Sequence, residues 1–295
     1  MIPYKKVGSI LNKHKKRDNW FLDDYSINPF DGCGFNCNYC YVHGSKYGEN
    51  LSEKMMIKAD AESILDKQLS LRARKKQYGY IAVGSATDAY MQAESETGLT
   101  TALLKIICKH RFPVFISTKS ALISKDFELL KEIDDVAILP EDLKDNPGRG
   151  VIIAYSFSTL DERLAKRLES GAPSPQKRLE ALKICSDEGF LCGMNAMPLL
   201  PFISDTEEHL ELIISSAKDA MANFILVAGL TLFGNNPGDN KQLYFRFLKE
   251  NFPELLQQYE KMYGKVGYPS REYQDQLKKR ADRICKKYNM RTSIR

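Results

Sequence analysis

The chain has 295 residues, 43% hydrophobic and 27% charged, which is enough apolar material for a full core and too much for a disordered chain. No apolar run reaches the length of a membrane span; the longest, Phe224–Phe233, is interrupted by Gly229 and Thr231. The net charge of +5 is uneven: residues 1–20 carry six basic side chains and one acidic, residues 241–295 carry fourteen and six, and the stretch between is acidic.

In chain order, residues 1–25 read as an arm with a basic cluster, His14–Arg17, followed by Trp20 and Phe21, which dock on the body. Ser26–Phe30 reads as a first strand leading into a cysteine-rich loop, Asp31–Gly44. Apolar periodicity then predicts a helix over Lys58–Lys75 with Asp60 as its N-cap, and helices over Leu99–Lys109, Lys125–Ile133, Pro175–Glu188 and Thr206–Ala220. Between them lie short buried-strand runs at Tyr80–Val83, Val114–Ile116, Val151–Tyr155, Leu191–Met197 (stopped by Pro198) and Phe224–Leu230. This alternation predicts a parallel α/β architecture with too few strands for a complete eight-stranded barrel. Helices over 241–263 and 270–288, rich in Tyr and Lys, end the chain.

The loop Asp31–Gly44 concentrates chemistry. Cys33, Cys37 and Cys40 are separated by three and then two residues, close enough to wrap one metal centre. Three readings fit the spacing: a tetrahedral zinc site completed by His43, a [4Fe–4S] cluster with one iron lacking a protein ligand, or three reduced cysteines in a tight turn. The other four cysteines are scattered singly. With no apolar stretch after Lys5 and Lys6 to make a secretory signal, the expected compartment is the cytoplasm.

Polar residues follow the strand runs, where the loops of a parallel barrel converge. They are Ser85–Tyr90 and Glu94, then Ser117–Ser120, then Ser156–Thr159, and finally Asn195 with Met197. Taken singly, a Thr-Asp pair after a strand is commonly a turn or N-cap, and a lysine there is commonly just exposed. Four such loops aimed at one cysteine loop favour a site.

The cysteine spacing, with Tyr39 before the third cysteine, resembles the signature of the radical S-adenosylmethionine enzymes. Ser9–Lys13, Asn28-Pro29-Phe30, Tyr39-Cys40-Tyr41, Thr87–Tyr90 with Glu94, and Thr118-Lys119-Ser120 narrow the resemblance to the spore photoproduct lyase-like group. Ala172–Pro175, Arg178-Leu179 and Pro198–Pro201 with Asp205 fit it as well. The resemblance implies a partial (β/α)6 TIM-like barrel over 26–240, between the basic arm 1–25 and a helical basic C-terminal extension 241–295.

It also implies two cofactors: a [4Fe–4S] cluster on Cys33, Cys37 and Cys40, and S-adenosyl-L-methionine on its open iron. Reductive cleavage would then give a 5′-deoxyadenosyl radical that abstracts hydrogen from a substrate. Lys119 would pair with the methionine carboxylate, Thr87 and Asp88 would meet its amino group or ribose, and Ser156 and Asn195 would complete the cosubstrate site. Tyr39 and Tyr41 would relay hydrogen or line the pocket. An electron donor such as a flavodoxin or ferredoxin is implied, and no membrane.

One departure stands out. Where the lyases carry a hydrogen-donating cysteine in the loop after the second strand, this chain has Ser85, whose O–H bond is too strong for that task. The substrate is therefore left open, with nucleic acid among the candidates, and Cys192 is the nearest thiol alternative. Two other readings stand beside the main one: a DNA lesion lyase with a non-standard hydrogen donor, and a zinc-stabilised nucleic-acid-binding protein gripping phosphates with its basic ends.

Overall fold

A computed structural model describes residues 2–45, 55–264 and 267–295. Its strands are β1 (Tyr4–Lys6), β2 (Asn12–Lys13), β3 (Asp23–Ile27), β4 (Phe30–Asp31), β5 (Met56–Ala59), β6 (Tyr80–Val83), β7 (Val114–Thr118), β8 (Val151–Phe157), β9 (Leu191–Leu199) and β10 (Phe224–Gly229). The α-helices are α1 (Ala61–Arg74), α2 (Gln92–Thr97), α3 (Leu99–Lys109), α4 (Phe127–Val136), α5 (Glu162–Leu168), α6 (Pro175–Asp187), α7 (Glu207–Asp219), α8 (Asn240–Asn251), α9 (Leu256–Tyr263) and α10 (Arg271–Lys287).

The main sheet runs β10-β9-β8-β7-β6-β3-β2, parallel throughout except for β2, which pairs antiparallel with β3. Strands that follow one another in sequence are neighbours in space, and helices return the chain between them. This is the expected partial barrel of α/β class. Its two apolar layers follow strand alternation. Side chains such as Ile81, Val83, Ile116, Ile153, Tyr155 and Cys192 face the helices. Tyr80, Ala82, Phe115, Ile152, Ala154, Leu191, Phe224 and Leu226 form a separate cluster inside the sheet's curve. On the outer layer, α3 offers Leu99, Leu103, Leu104 and Ile107 on one stripe. Several helices start where the sequence says they should: Ser174 caps α6 ahead of Pro175, and Thr206 caps α7.

Some boundaries moved. The first barrel strand is Asp23–Ile27, and Phe30–Asp31 belongs instead to a small sheet ordered β1-β5-β4. Residues 56–59 also belong to that sheet, so α1 begins only after Asp60, whose side chain makes no capping bond. Strand β9 passes through Pro198 to Leu199, because the proline falls where the β9–β10 register shifts, between Val227 and Gly229. Pro253 divides the helix expected over 241–263 into α8 and α9.

Both ends of the chain lie along the body. The first residues pair through β1 with β5 and through β2 with β3, and Phe21 stacks on Phe115 at 4.9 Å between centroids while Trp20 stays partly exposed. The last helix packs on α7 and β10. Arg280 donates to the Asp205 carbonyl at 2.7 Å, and Arg283 pairs with Glu207 at 2.5 Å. Arg17 and Arg295 both reach Asp142, from opposite ends of the sequence. Part of the basic charge at the two ends is thus matched by the acidic middle of the same chain.

Candidate active site

The cysteine loop is fastened to the mouth of the barrel by backbone contacts. Asn38 N–H donates to Leu168 O at 2.9 Å, Gly171 N–H to Phe35 O at 3.2 Å, and Cys37 bridges to Glu169. Gly171 lies so close that a Cβ there would stand 2.1 Å from the Gly34 carbonyl oxygen, so only glycine fits. Above Tyr39, the Asn240 amide donates to the Tyr39 carbonyl at 3.3 Å and to Thr231 O at 2.8 Å, tying the start of α8 to the loop.

Beneath the loop lies a fully buried charge network. The Tyr39 hydroxyl and the Ser158 hydroxyl both donate to Glu169 Oε1, and Arg178 pairs with Glu169 Oε2. Arg178 also donates to Pro173 O at 2.8 Å and Ser156 O at 3.0 Å, so its guanidinium is well satisfied. Burial alone would raise the Glu169 carboxyl; the Lys119 and Arg178 cations outweigh it and hold the group below its ordinary value. For Lys119 burial disfavours the charge, yet the acidic groups around it, Cys37 and Glu169 first, raise its pKa. Its ammonium stands 6.0 Å from the centre of the Tyr39 ring.

These features face a cavity of about 550 Å³ at the C-terminal ends of the strands. Ten residues nominated from sequence line it: Cys33, Cys37, Cys40, Tyr39, Tyr41, Thr87, Asp88, Lys119, Ser156 and Asn195. Phe21, Ala82 and Phe115 make its apolar floor. Asp88 is engaged within the protein, accepting from Tyr90 N–H at 2.9 Å, Thr118 Oγ1 at 2.8 Å and Lys119 N–H at 2.8 Å. Thr87 Oγ1 donates to Gly32 O at 2.6 Å. This pair therefore ties the second- and third-strand loops to each other and to the cysteine loop. Asn195 donates to Ser117 Oγ at 3.1 Å, Ser117 meets Ser156 at 3.0 Å, and the Asn195 Oδ1 is buried without a partner.

Other sequence expectations resolve differently. Glu94 is absent from the cavity wall; it is buried, accepts from Thr100 N–H at 2.6 Å and pairs with Lys125, so it caps the start of α3. His43 is buried but outside the cavity lining, and burial lowers its pKa. The Cys192 thiol points to the Leu182 carbonyl on the helix side, away from the cavity, as a small buried side chain. The Tyr41 hydroxyl donates to Ser85 O, and Asn28 Nδ2 donates to Ser85 Oγ at 3.2 Å. Sequence reasoning missed Glu169, which sits in an unremarkable stretch after α5. Its one signal was the buried cation at Arg178, which needs a partner.

Among the described residues no three His, Cys, Asp or Glu side chains already form a metal-holding group. The donor chemistry nonetheless suits an iron–sulfur cluster. Burial pushes the Cys33 thiol up to about 11 and those of Cys37 and Cys40 above their ordinary value. Cys33 and Cys37 are each raised further by neighbouring cysteines. Thiolates so disfavoured by one another and by burial are stabilised by a bound cationic iron centre, and the cavity beside them has room for more than the cluster.

Residues 27–213 match the model of the radical SAM superfamily, and the chain belongs to that family. It is accordingly a radical S-adenosylmethionine enzyme, whose cofactors are a [4Fe–4S] cluster and S-adenosyl-L-methionine, and the zinc reading is set aside. Among its relatives, an uncharacterised protein of Mycobacterium tuberculosis (strain ATCC 25618 / H37Rv) is 26% identical over 90% of this chain and 75% of that protein. An uncharacterised protein of Methanocaldococcus jannaschii is 27% identical over 78% of this chain and 77% of its own length. Among solved structures, a cysteine-to-serine mutant of spore photoproduct lyase superposes with a TM-score of 0.64 at 15% identity, covering 94% of this chain and 78% of that one. A double mutant of the same lyase, with bound AdoMet and dinucleoside spore photoproduct, gives 0.64 at 14% identity, covering 92% and 76%. No helix among the described residues is long and apolar enough to cross a membrane.

Proposed function

We propose that Cys33, Cys37 and Cys40 hold the cluster, that Lys119, Ser156 and Asn195 hold S-adenosylmethionine, and that the enzyme abstracts hydrogen from a substrate bound in the same cavity. The observation carrying this reading is convergence: residues nominated from five separate segments line one cavity beside the cysteine loop. When bound, the two cofactors supply reductive cleavage to a 5′-deoxyadenosyl radical. The chain's own residues bind, orient and shield.

Lys119, a half-buried cation on the cavity wall, is suited to the methionine carboxylate. Asp88 serves it indirectly, by fixing the Lys119 backbone. Thr87 does the same for the cysteine loop through Gly32. The Asn195 Oδ1, unpartnered and buried, suits a donor on the ribose or adenine. Both tyrosine hydroxyls are hydrogen-bonded, Tyr39 to Glu169 and Tyr41 to Ser85 O, but Tyr39 is buried and Tyr41 is exposed, which leaves Tyr41 better suited to a hydrogen relay. Ser85 in the lyases' thiol position, held by Asn28, disfavours the lesion-lyase reading, since no cysteine outside the cluster loop lines the cavity among the described residues. The electron donor, flavodoxin or ferredoxin in kind, would approach the cysteine loop.

The test is anaerobic. The chain is reconstituted with iron and sulfide, given dithionite and S-adenosylmethionine, and assayed for 5′-deoxyadenosine beside the Cys37→Ala variant. Formation by the wild type alone supports the reading. A wild type that binds no iron, or a variant that matches it, overturns the assignment of these cysteines.

A further inference from the structure

Among the described residues, two buried side-chain atoms lack any hydrogen-bond partner, Asp23 Oδ1 and Asn195 Oδ1, and both residues line the same cavity. Asn195 belongs to the proposed cosubstrate site. Asp23 does not. It starts β3, on the other side of the sheet order from β9, and its side chain is only 5% exposed. Its second oxygen lies 3.1 Å from His14 Nδ1, and the other nitrogen of that ring meets Ser26 Oγ at 3.1 Å. His14 follows β2, so the arm itself supplies the group that fixes the Asp23 carboxylate against the barrel wall.

The surroundings of Asp23 are selective. Phe21 and Phe115 stack with an interplanar angle of 29°, making a flat apolar floor, and Tyr41 stands close enough for the Asp23 charge to raise its pKa. Burial pushes the Asp23 carboxyl up to about 6, while His14 pulls it down. An acceptor with no donor, beside a flat apolar floor, leaves a buried polar group unsatisfied until a ligand supplies an N–H or O–H. The same acceptor repels a carboxylate or phosphate.

We infer that Asp23, braced by His14, is the substrate anchor of this enzyme, and that it selects a planar substrate group presenting an N–H donor, uncharged or cationic, over an anionic one. This rests on the reading of the cavity as the radical enzyme's site and adds the class of substrate group it accepts. The arm thereby becomes part of the binding site.

The test uses three probes with one ring and different head groups: benzamidine, benzamide and benzoate. Their binding to the purified full-length chain, with and without cluster reconstitution, is measured by NMR titration. Benzamidine is expected to bind at least about tenfold tighter than benzoate, with benzamide between them, and Asp23→Asn to lose at least about tenfold for benzamidine. His14→Gln keeps the Asp23 carboxylate and a hydrogen-bonding side chain in place of the bracing ring, so it is expected to lose less affinity for benzamidine than Asp23→Asn. Benzoate binding as well as benzamidine, no saturable benzamidine binding by wild type, or equal losses in both variants would overturn the inference. The last result marks His14–Asp23 as a merely structural pair. Cluster content and substrate-free deoxyadenosine formation by the wild type are measured on the same samples. Loss of those signals in wild type would strike the proposed function, while the probe ranking still judges the anchor.

Discussion

The Tyr39 hydroxyl donates to the carboxylate of Glu169, 130 residues further along the chain, and that carboxylate also pairs with Arg178. The contact joins the cysteine loop to the β8–β9 crossover beneath it. A buried ion pair costs desolvation and is sustained only when its remaining hydrogen bonds are met. Here Ser158, Tyr39 and two backbone carbonyls meet them.

Removing one partner of this network should be costly. Glu169→Gln leaves Arg178 charged and buried, with an expected loss of about 3–5 kcal/mol in urea unfolding. The double change Glu169→Leu with Arg178→Met should recover much of that loss, because both charges are gone. A single variant as stable as wild type would mean that the network contributes little.

Lys119 should act on S-adenosylmethionine rather than on the cluster. Lys119→Met is expected to weaken S-adenosylmethionine binding by about tenfold or more, the worth of one charge-assisted hydrogen bond. Iron content and the visible absorption of the cluster should be unchanged. Lys119→Arg should recover part of the affinity. Iron lost in parallel with S-adenosylmethionine binding would instead assign the lysine a structural role in the loop.

The α10 contacts should differ in worth along the helix. Asp205 is buried and its carboxylate accepts from Tyr273, while Arg280 donates chiefly to its backbone carbonyl. Arg283, 65% exposed, meets Glu207 at the surface. Double-mutant cycles should give about 1.5–3 kcal/mol for Tyr273–Asp205 and at most about 1 kcal/mol for Arg283–Glu207, the latter fading in salt. Equal coupling energies would show that burial of Asp205 does not matter.

Asp23 should make stability fall as pH rises. Burial holds its carboxyl at about 6 against an ordinary 3.8, with His14 opposing the rise and Asp18 and Asp24 adding to it. The folded state therefore binds this proton more tightly than the unfolded state, so the contribution is fully present below 3.8 and lost as pH rises through about 6. Asp23→Asn should gain on wild type across that window in unfolding midpoints measured from pH 4 to 8. A difference that stays constant with pH would rule this out.

The sequence by itself determined the parts whose physics is local. Cysteine spacing needs no tertiary information, since three thiols within eight residues can reach one centre wherever the loop lies. Five of the six barrel strands were readable because a parallel strand buried on both sides is a short unbroken apolar run. The first, Asp23–Ile27, begins with two aspartates, and the sequence places it late. The helices were readable because their stripes recur every three to four residues. Loops at strand ends converge on one mouth by barrel geometry, and the resemblance singled out residues in them, so Thr87, Asp88, Lys119, Ser156 and Asn195 line the cavity while Glu94 and Cys192 do not.

Pairings between distant and individually unremarkable residues emerge only once the chain is folded. Glu169 acquires meaning from Tyr39 and Arg178, and Glu94 turns out to cap a helix. Only the fold shows which basic residues of the two ends meet acids of the middle, Arg17 at Asp142 and Arg280 and Arg283 at Asp205 and Glu207. His14 reads as one more cation of the arm until β2 lays it against Asp23. Charge and hydrogen-bond complementarity depend on distance in space, and a linear pattern carries no record of which distant groups the fold brings within 3 or 4 Å.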